Sequence, residues 1–230
     1  MNTVMETENI TKIYGKNETA VHALRGIDLP IDKGEFTAVV GPSGSGKTTL
    51  MNCITGIDTP SGGTVRIHGN TISDMSGKEL SVFRRDNLGF IFQAYNLIPV
   101  LTVEENVEYI MLLQGIDTKT RHQRVARILE EVGLKGFEKR VPAKLSGGQQ
   151  QRVAIARAMV SKPKIIIADE PTANLDSKTG SKLLDMMRML NERDNMTFLF
   201  STHDPLIMER AKRTIVIKDG YIDSDSRKTK

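Results

Sequence analysis

The sequence predicts an α/β domain: a core sheet of parallel strands, a small antiparallel sheet toward the amino terminus, and a helical lobe inserted between two core strands. Three observations carry that expectation. The apolar, β-branched run Phe36–Val40 passes directly into a glycine-rich stretch, GPSGSGKT, at Gly41–Thr48. Two later apolar runs, Ile165–Ala168 and Thr197–Ser201, end in Asp169-Glu170 and Thr202-His203. Between the first of these landmarks and the second the chain turns helical, with Ser/Thr-x-x-Glu caps and an apolar stripe at helical spacing.

The chain has 230 residues, 39% hydrophobic and 26% charged, a globular composition long enough for one α/β domain with a lobe. Its 32 basic and 28 acidic residues leave a charge of +4 that is spread along the chain and reads as solvated surface. With no Trp and 5% aromatic residues it lacks a base-stacking platform, so nucleic acid is not an expected partner. One cysteine, Cys53, excludes an internal disulfide and suits a reducing compartment. Met1–Thr11 is polar and acidic, unlike a secretory leader, and no apolar run approaches the roughly 20 residues that span a bilayer. The expectation is a soluble chain whose membrane association comes through a partner.

Val21–Leu24 and Ile27–Ile31 are short β-type runs broken by Gly26, Pro30 and Gly34, which suggests a small sheet beside the core. Tyr14 precedes them, as readily a half-buried strand aromatic as a base-stacking ring. Phe36–Val40 reads as a buried strand that delivers the glycine-rich loop at its carboxyl end. Glycines at Gly41, Gly44 and Gly46 let successive N–H groups converge on phosphate oxygens. Lys47 adds an ammonium for the β- and γ-phosphates and Thr48 a hydroxyl for Mg²⁺, both at the positive end of a helix. The plain alternative is an ordinary turn, but the full G-x-x-x-x-G-K-[ST] pattern between strand and helix favours a phosphate cradle.

After that helix, which carries Cys53 as a core thiol, Val65–Ile72 reads as a hairpin turning at Gly69-Asn70, and Ser76–Glu79 as a capping box opening a helix toward Arg85. Gly89–Phe92 is the next strand. Gln93 ends it, either as a loop residue or facing a ligand crevice where it reaches metal or the attacking water. Thr102–Glu105 is a second capping box, and Thr118 caps a helix with Val125, Ile128, Leu129 and Val132 in one stripe, ended by Gly133. Leu145–Gln149, LSGGQ, then opens another helix as either a simple cap or a second anion site, in a different lobe from the first.

Ile165–Ala168 is the most apolar strand, and the two carboxylates at its end are costly unless a cation or donors are close. Either this is a strand end feeding a solvated turn, or, as the phosphate cradle favours, Asp169 holds the metal shell through water and Glu170 polarises the attacking water. Asp176 or Ser177 caps a helix carrying Leu183, Met187 and Leu190. Thr197–Ser201 ends at His203, on the lip before Asp204-Pro205, which reads as an N-cap and first helical residue. Thr214–Ile217 is the last strand, turning at Asp219-Gly220, and Ser224–Lys230 is expected to fray.

In this order the motifs resemble those of the ATP-binding cassette (ABC) ATPases over nearly the whole chain. Gly41–Thr48 is similar to a Walker A loop, Gln93 to the Q-loop and Leu145–Gln149 to the signature. Ile165–Asp169 with Glu170 is similar to Walker B, the turn around Asp176 to the D-loop and His203 to the switch histidine. The resemblance implies a P-loop NTPase (RecA-like) core with an N-terminal antiparallel β subdomain, formed by 1–93 and 160–230, and an inserted α-helical subdomain at 94–159, all in one cassette domain. It implies ATP and Mg²⁺ as cofactors. Tyr14 would stack on the adenine. Gly41, Pro42, Ser43, Gly44, Ser45, Gly46, Lys47, Thr48 and Thr49 would surround the phosphates together with Gln93, Asp176 and His203. Thr48, Gln93 and Asp169 would serve the metal, and Glu170, His203, Gln93 and Lys47 the chemistry.

The resemblance further implies a homodimer with each ATP clasped between the Walker A loop of one copy and Ser146, Gly147, Gly148 and Gln149 of the other. FIFQAYNLIPVLTVEENV and SGGQQQRVAIARA are most similar to cassettes of lipoprotein-release and macrolide-export systems, in which a groove around the Q-loop receives a helix of a transmembrane permease. Leu97, Ile98, Val100 and Leu101 would pack there or belong to the lobe core. A transport ATPase on the cytoplasmic face of the cell membrane is thereby expected. A cell-division-type mechanotransmitting cassette, which drives a membrane partner without transport, shares all of these residues. A soluble cassette acting on DNA or ribosomes is disfavoured by the lack of a long coiled-coil insertion or second cassette.

Overall fold

The chain begins as a long antiparallel ribbon, β1 (Thr3–Tyr14) against β2 (Val21–Asp32), and continues through β3 (Phe36–Val40), α1 (Lys47–Ile54), β4 (Gly62–Ile67) and β5 (Asn70–Thr71). α2 (Gly77–Asn87) and β6 (Leu88–Ile91) follow, then three helices, α3 (Val103–Leu113), α4 (Thr118–Glu131) and α5 (Gly147–Met159). The chain returns through β7 (Ile165–Asp169), α6 (Ser177–Asp194), β8 (Phe198–Ser201), α7 (Pro205–Arg210), β9 (Arg213–Lys218) and β10 (Tyr221–Arg227). The computed structural model describes residues 3–228; Met1, Asn2, Thr229 and Lys230, the outer ends of the two stretches read above as leaderless and fraying, lie outside the described residues.

The strands form a four-stranded sheet, β2-β1-β4-β5, and a six-stranded sheet, β10-β9-β3-β8-β7-β6. In the larger sheet β9, β3, β8, β7 and β6 run parallel, and β10 closes the edge antiparallel to β9. Alternation along each strand splits the core in two. Phe36, Ala38, Val40, Phe198 and Phe200 face α5, α6 and the inserted helices. Val39, Leu199, Ile165, Ile167, Ile215 and Ile217 face α1 and the antiparallel sheet. Phe36 touches Phe200 with ring centroids 4.6 Å apart, a tilted contact that adds about 0.5–1.5 kcal/mol beyond its buried area. Cys53 is buried on the α1 side, where burial pushes its thiol up to about 11, so it stays an inert core thiol.

Capping boxes at Ser76/Glu79, Thr102/Glu105 and Ser146/Gln149 start α2, α3 and α5. Each satisfies otherwise unpaired N–H groups and contributes about 1 kcal/mol. The cap of α4 is Asp117 rather than Thr118, because its carboxylate accepts from Thr120 N at 3.0 Å and leaves Thr118 as the first helical residue. Residues 94–102 do not join the helices. Asn106, fully buried, holds part of them as a loop, accepting from Ile98 N at 2.8 Å and donating to the carbonyls of Ile98, Leu101 and Thr102.

Several strand boundaries differ from the sequence reading. β1 is a full strand although its sequence is polar and acidic, since only Val4, Met5, Thr7 and Ile10 turn to the core. β2 runs unbroken through Gly26 and Pro30. Gly26 sits at φ 91 across from Asn9 at φ 48, a bulge closed by Asn9 N donating to Asp28 Oδ1 at 2.6 Å. Pro30 is tolerated because β2 is an edge strand. The β4–β5 turn is His68-Gly69, both at positive φ, with Asn70 already paired to Ile67.

Of the stretch expected to fray, Ser224–Arg227 is paired within β10. Arg213, 4% exposed, lies between Asp225 at 2.6 Å and Glu35 at 3.0 Å, and its guanidinium also donates to Pro30 O at 2.7 Å. One cation thus joins β10, the start of β3 and the edge of the other sheet. Arg213→Met should lower the unfolding free energy in urea by about 1–3 kcal/mol, because Asp225 loses its cation and Glu35 keeps only the more exposed Arg227, at 2.8 Å, and the Thr37 hydroxyl. Arg213 also holds the Asp225 carboxyl below the usual carboxylate range. The stabilisation from Asp225 is therefore complete above its unfolded value of about 4 and fades as pH falls through the lower folded value. Acidification from pH 5 to pH 3 should shift the urea midpoint of the native chain more than that of Arg213→Met.

Candidate active site

The carboxyl ends of four parallel strands meet at one rim: β3 leads into Gly41, β6 toward Gln93, β7 into Glu170 and β8 into Thr202-His203. Polar groups at this end of a parallel sheet face the ligand crevice. The loop after β3 is closely fitted. A Cβ at Gly41 would lie 2.1 Å from Ile217 O, and one at Gly46, which has φ 107, would lie 2.6 Å from Ala23 O. Only glycine lets the loop return that near the backbone before α1 starts at Lys47. The turn between β9 and β10 braces it, with Gly220 N donating to Ser45 O at 3.1 Å.

Lys47 Nζ donates to Gly41 O at 2.7 Å and Pro42 O at 3.0 Å, and among the described residues it has no acidic partner. Ser45 is buried with its Oγ unpartnered among the described residues. A glycine-walled loop, an ammonium without a counter-ion and the free N–H groups of α1 form a donor set for a polyphosphate, so the residues fit ATP. Pro42, Ser43 and Gly44 are exposed on the same loop and Thr48 on the first turn of α1, while Thr49 is half-buried beside the Tyr14 phenol. Among the described residues no group of three or more His, Cys, Asp or Glu side chains converges to hold a metal. A single hydroxyl and a single carboxylate, Thr48 and Asp169, suit Mg²⁺, which keeps several waters and takes phosphate oxygens.

Asp169 ends β7 opposite Ser201, half-buried, with no side-chain hydrogen bond or ion pair among the described residues. Glu170, one step on, takes the left-handed conformation at φ 45. Its N–H donates to Ser201 O at 2.9 Å, extending the ladder. Its carboxylate is held from β8: Oε1 accepts from His203 N at 3.2 Å and pairs with His203 Nδ1 at 2.6 Å, and Oε2 accepts from Thr202 Oγ1 at 3.0 Å. A carboxylate facing Nδ1 puts the ring proton on that nitrogen. The Thr202 hydroxyl also accepts from Asp204 N at 2.9 Å, and Asp204 accepts from Thr172 Oγ1 at 2.5 Å, so the lip is a continuous polar network. His203 itself is 78% exposed.

The signature residues lie elsewhere on the same chain. Ser146 caps α5 in a reciprocal pair with Gln149. Gly147 lies against Tyr95, whose hydroxyl would be 2.8 Å from an added Cβ, and Gly148 against Thr179, 2.7 Å from one. Asp176 caps α6 through Thr179 N at 3.0 Å, and these donors hold its carboxyl below the usual range. Asn174 Nδ2 reaches Gln93 O at 2.9 Å. The start of α5, the Asp176 turn and the Gln93 loop thus form one cluster, and among the described residues no hydrogen bond joins 145–149 to 41–49.

Three residues of this network carried no signal in the sequence reading. Thr202 was legible only as the neighbour of His203, and Asn174 only as a turn residue. Arg157 lies inside a helix pattern, yet its half-buried guanidinium donates to Asn96 O at 2.5 Å and Tyr95 O at 2.8 Å, the two residues after Ala94 that take positive φ.

The chain belongs to the ABC transporter family, whose model matches residues 24–173. Its architecture is that of the family: a P-loop NTPase, RecA-like core with an N-terminal β subdomain and an inserted helical subdomain. It is 47% identical over 219 residues to an uncharacterized ABC transporter ATP-binding protein of Methanocaldococcus jannaschii, covering 95% of this chain and 97% of that one. To the macrolide export ATP-binding/permease protein MacB of Marinobacter nauticus it is 45% identical over 223 residues; the match takes in 97% of this chain but 34% of that longer protein. The likeness to export-type cassettes read from the Q-loop and signature segments holds. A solved Methanocaldococcus jannaschii cassette, a dimer in a post-hydrolysis state bound to ADP and Pi, superposes with a TM-score of 0.87 at 41% identity over 97% of this chain and 98% of that one.

Gly46→Ala should abolish detectable ATP binding while costing about 1–3 kcal/mol of stability, since the added methyl meets a backbone carbonyl at a strained φ. Nucleotide titration and urea unfolding measure the two effects separately.

Proposed function

We propose that this chain is the ATP-binding and ATP-hydrolysing subunit of an ABC transporter, that two copies close around two ATP molecules, and that the closed pair drives a separate membrane permease. The observation that carries the reading is the rim itself: a glycine-walled loop with an uncompensated lysine, beside a carboxylate already paired with a histidine. In this reading the N–H groups of Gly41–Thr49 and the Lys47 ammonium hold the phosphates, Tyr14 meets the adenine, and Thr48, Gln93 and Asp169 serve Mg²⁺. Bound Mg²⁺ neutralises phosphate charge and polarises the bond to be broken.

Glu170 then acts as the acceptor toward water. Both of its oxygens are engaged in this structure, Oε1 by His203 and Oε2 by Thr202, so it gains that role when His203 exchanges partners. The exposure of His203 leaves room for the exchange, and its freed ring becomes a donor toward phosphate oxygen. Ser146, Gly147, Gly148 and Gln149, separated from the loop in their own chain, complete the pocket of a second copy, with Asp176 beside them. The dimeric state of the solved relative supports this pairing.

A groove of about 330 Å³ between α2 and α3, lined by Val82, Leu88, Phe90, Ile110 and Leu113 with Arg84 and Arg85, suits an amphipathic helix of the permease. Val100, on the loop that follows Gln93, is exposed, while Leu97 packs into the core. No helix among the described residues is long and apolar enough to cross a membrane. Docking on a permease places the chain on the cytoplasmic face of the cell membrane, and the permease half of the MacB relative's name supports such a partner.

Glu170→Gln should cut turnover at least about a hundredfold while ATP binding persists, the loss typical of a missing general base. The variant should then elute as a dimer in ATP on size exclusion; turnover at the native rate would remove Glu170 from this role. Lys47→Ala should weaken ATP binding itself by more than about tenfold, as expected for a lost charge-assisted contact, and an unchanged affinity would count against the phosphate loop.

A further inference from the structure

Tyr14 closes β1, 41% exposed, where that strand meets the loop after α1. Its Oη donates to Asp58 Oδ2 at 2.7 Å, and Asp58 Oδ1 accepts from Lys12 Nζ at 2.5 Å. The same ammonium donates to Thr59 O at 2.6 Å and stands over the Tyr14 ring, 4.9 Å from its centroid. Lys12 and Asp58 are mostly enclosed, their side chains 12% and 28% exposed. The loop that carries Asp58 is itself tied to α1, since Ile57 N and Asp58 N both donate to Asn52 O, at 3.0 and 3.1 Å. A carboxylate delivered by the helix behind the phosphate loop therefore grips two residues of β1.

The protonation states agree with this arrangement. Burial, and then the neighbouring Asp58, push the Tyr14 phenol up, so it remains a donor. Burial also works to raise Asp58, but hydrogen bonds from Lys12 and Tyr14 outweigh it and hold the carboxyl below the usual range, so it remains an acceptor. Hydrogen-bonded at its rim and seated over a cation, the ring has little torsional freedom left to lose when a planar group stacks on its exposed side.

We propose that Asp58, together with Lys12, is a positioning residue for base recognition: it fixes the partly exposed Tyr14 ring, with the ammonium over it, as a platform for a planar base, and fastens that platform to α1. The proposal rests on the ATP reading above. It makes base binding and triphosphate binding separable, which inorganic tripolyphosphate, a ligand without a base, can expose.

In the unsubstituted chain both ATP and tripolyphosphate should bind. Asp58→Ala should weaken ATP about tenfold, the scale of one lost base–aromatic contact, with tripolyphosphate unchanged within about twofold. KM for ATP should rise while kcat holds. Tyr14→Phe, which keeps the ring and removes the hydrogen bond, should reproduce the loss, and the double variant should be no weaker than Asp58→Ala alone. Asp58→Asn keeps an acceptor for Tyr14 without a counter-charge for Lys12 and should fall between. It and Tyr14→Phe carry the test if Asp58→Ala does not fold. Equal weakening of ATP and tripolyphosphate would mean that Asp58 only braces α1, and unchanged ATP affinity that Tyr14 needs no clamp; either result overturns the assignment. A native chain that binds tripolyphosphate but not ATP would instead bring down the ATP reading itself.

Discussion

The hydrogen-bonded register of β8 with both of its neighbours is the constraint on which the site depends. Ser201 pairs with Val39 on one side and Asp169 on the other, so three strands reach the rim at the same level. The residues that follow leave the sheet side by side, and the ladder continues one step beyond it through Thr202 N to Val39 O and Glu170 N to Ser201 O. Parallel strands cannot be joined by tight turns, so each rim residue comes from a distant part of the sequence, and only this register brings them together. A slip of one residue would exchange the Phe198 and Phe200 face for the Leu199 face and bury the wrong side chains on both sides of the sheet.

The rim is also where the fold accepts unfavourable features. Glu170 holds a left-handed conformation worth roughly 1–2 kcal/mol of strain. Lys47 spends its donors on the carbonyls of its own loop, and among the described residues the buried Ser45 hydroxyl has no partner. Gln151, buried in α5, satisfies its amide nitrogen on Pro171 O at 2.7 Å but leaves its oxygen unpaired among the described residues. Such violations gather at functional sites and persist because the surrounding packing fixes them. Here the two cores on either side of the sheet supply that packing, with Phe36, Phe198 and Phe200 at the centre of one of them.

The parts of the fold most legible in the sequence are those with local physics. Capping boxes, the strand before the glycine loop and the polar ends of the core strands all follow from short-range chemistry, and the structure contains each of them. β1 was hidden because its partners cover one face and leave Glu6, Glu8 and Lys12 on the other or at its edges, so composition hid the alternation. β10 was hidden because its order comes from Arg213, an ion-pair partner on another strand. At the site, residue types announced Lys47, Asp169, Glu170 and His203. Their mutual arrangement, above all the engagement of Glu170 by Thr202 and His203, is tertiary and no spacing along the chain encodes it.

Arg157 has a consequence for motion. Its guanidinium is half-buried with no acidic partner among the described residues, burial lowers its proton affinity, and its donors end on two successive carbonyls of the bend behind Gln93. Pulling those oxygens away would cost the half-buried cation two charge-assisted hydrogen bonds. The bend and the helix that begins at Gly147 are therefore tied by one side chain, and separating them breaks both of these hydrogen bonds at once.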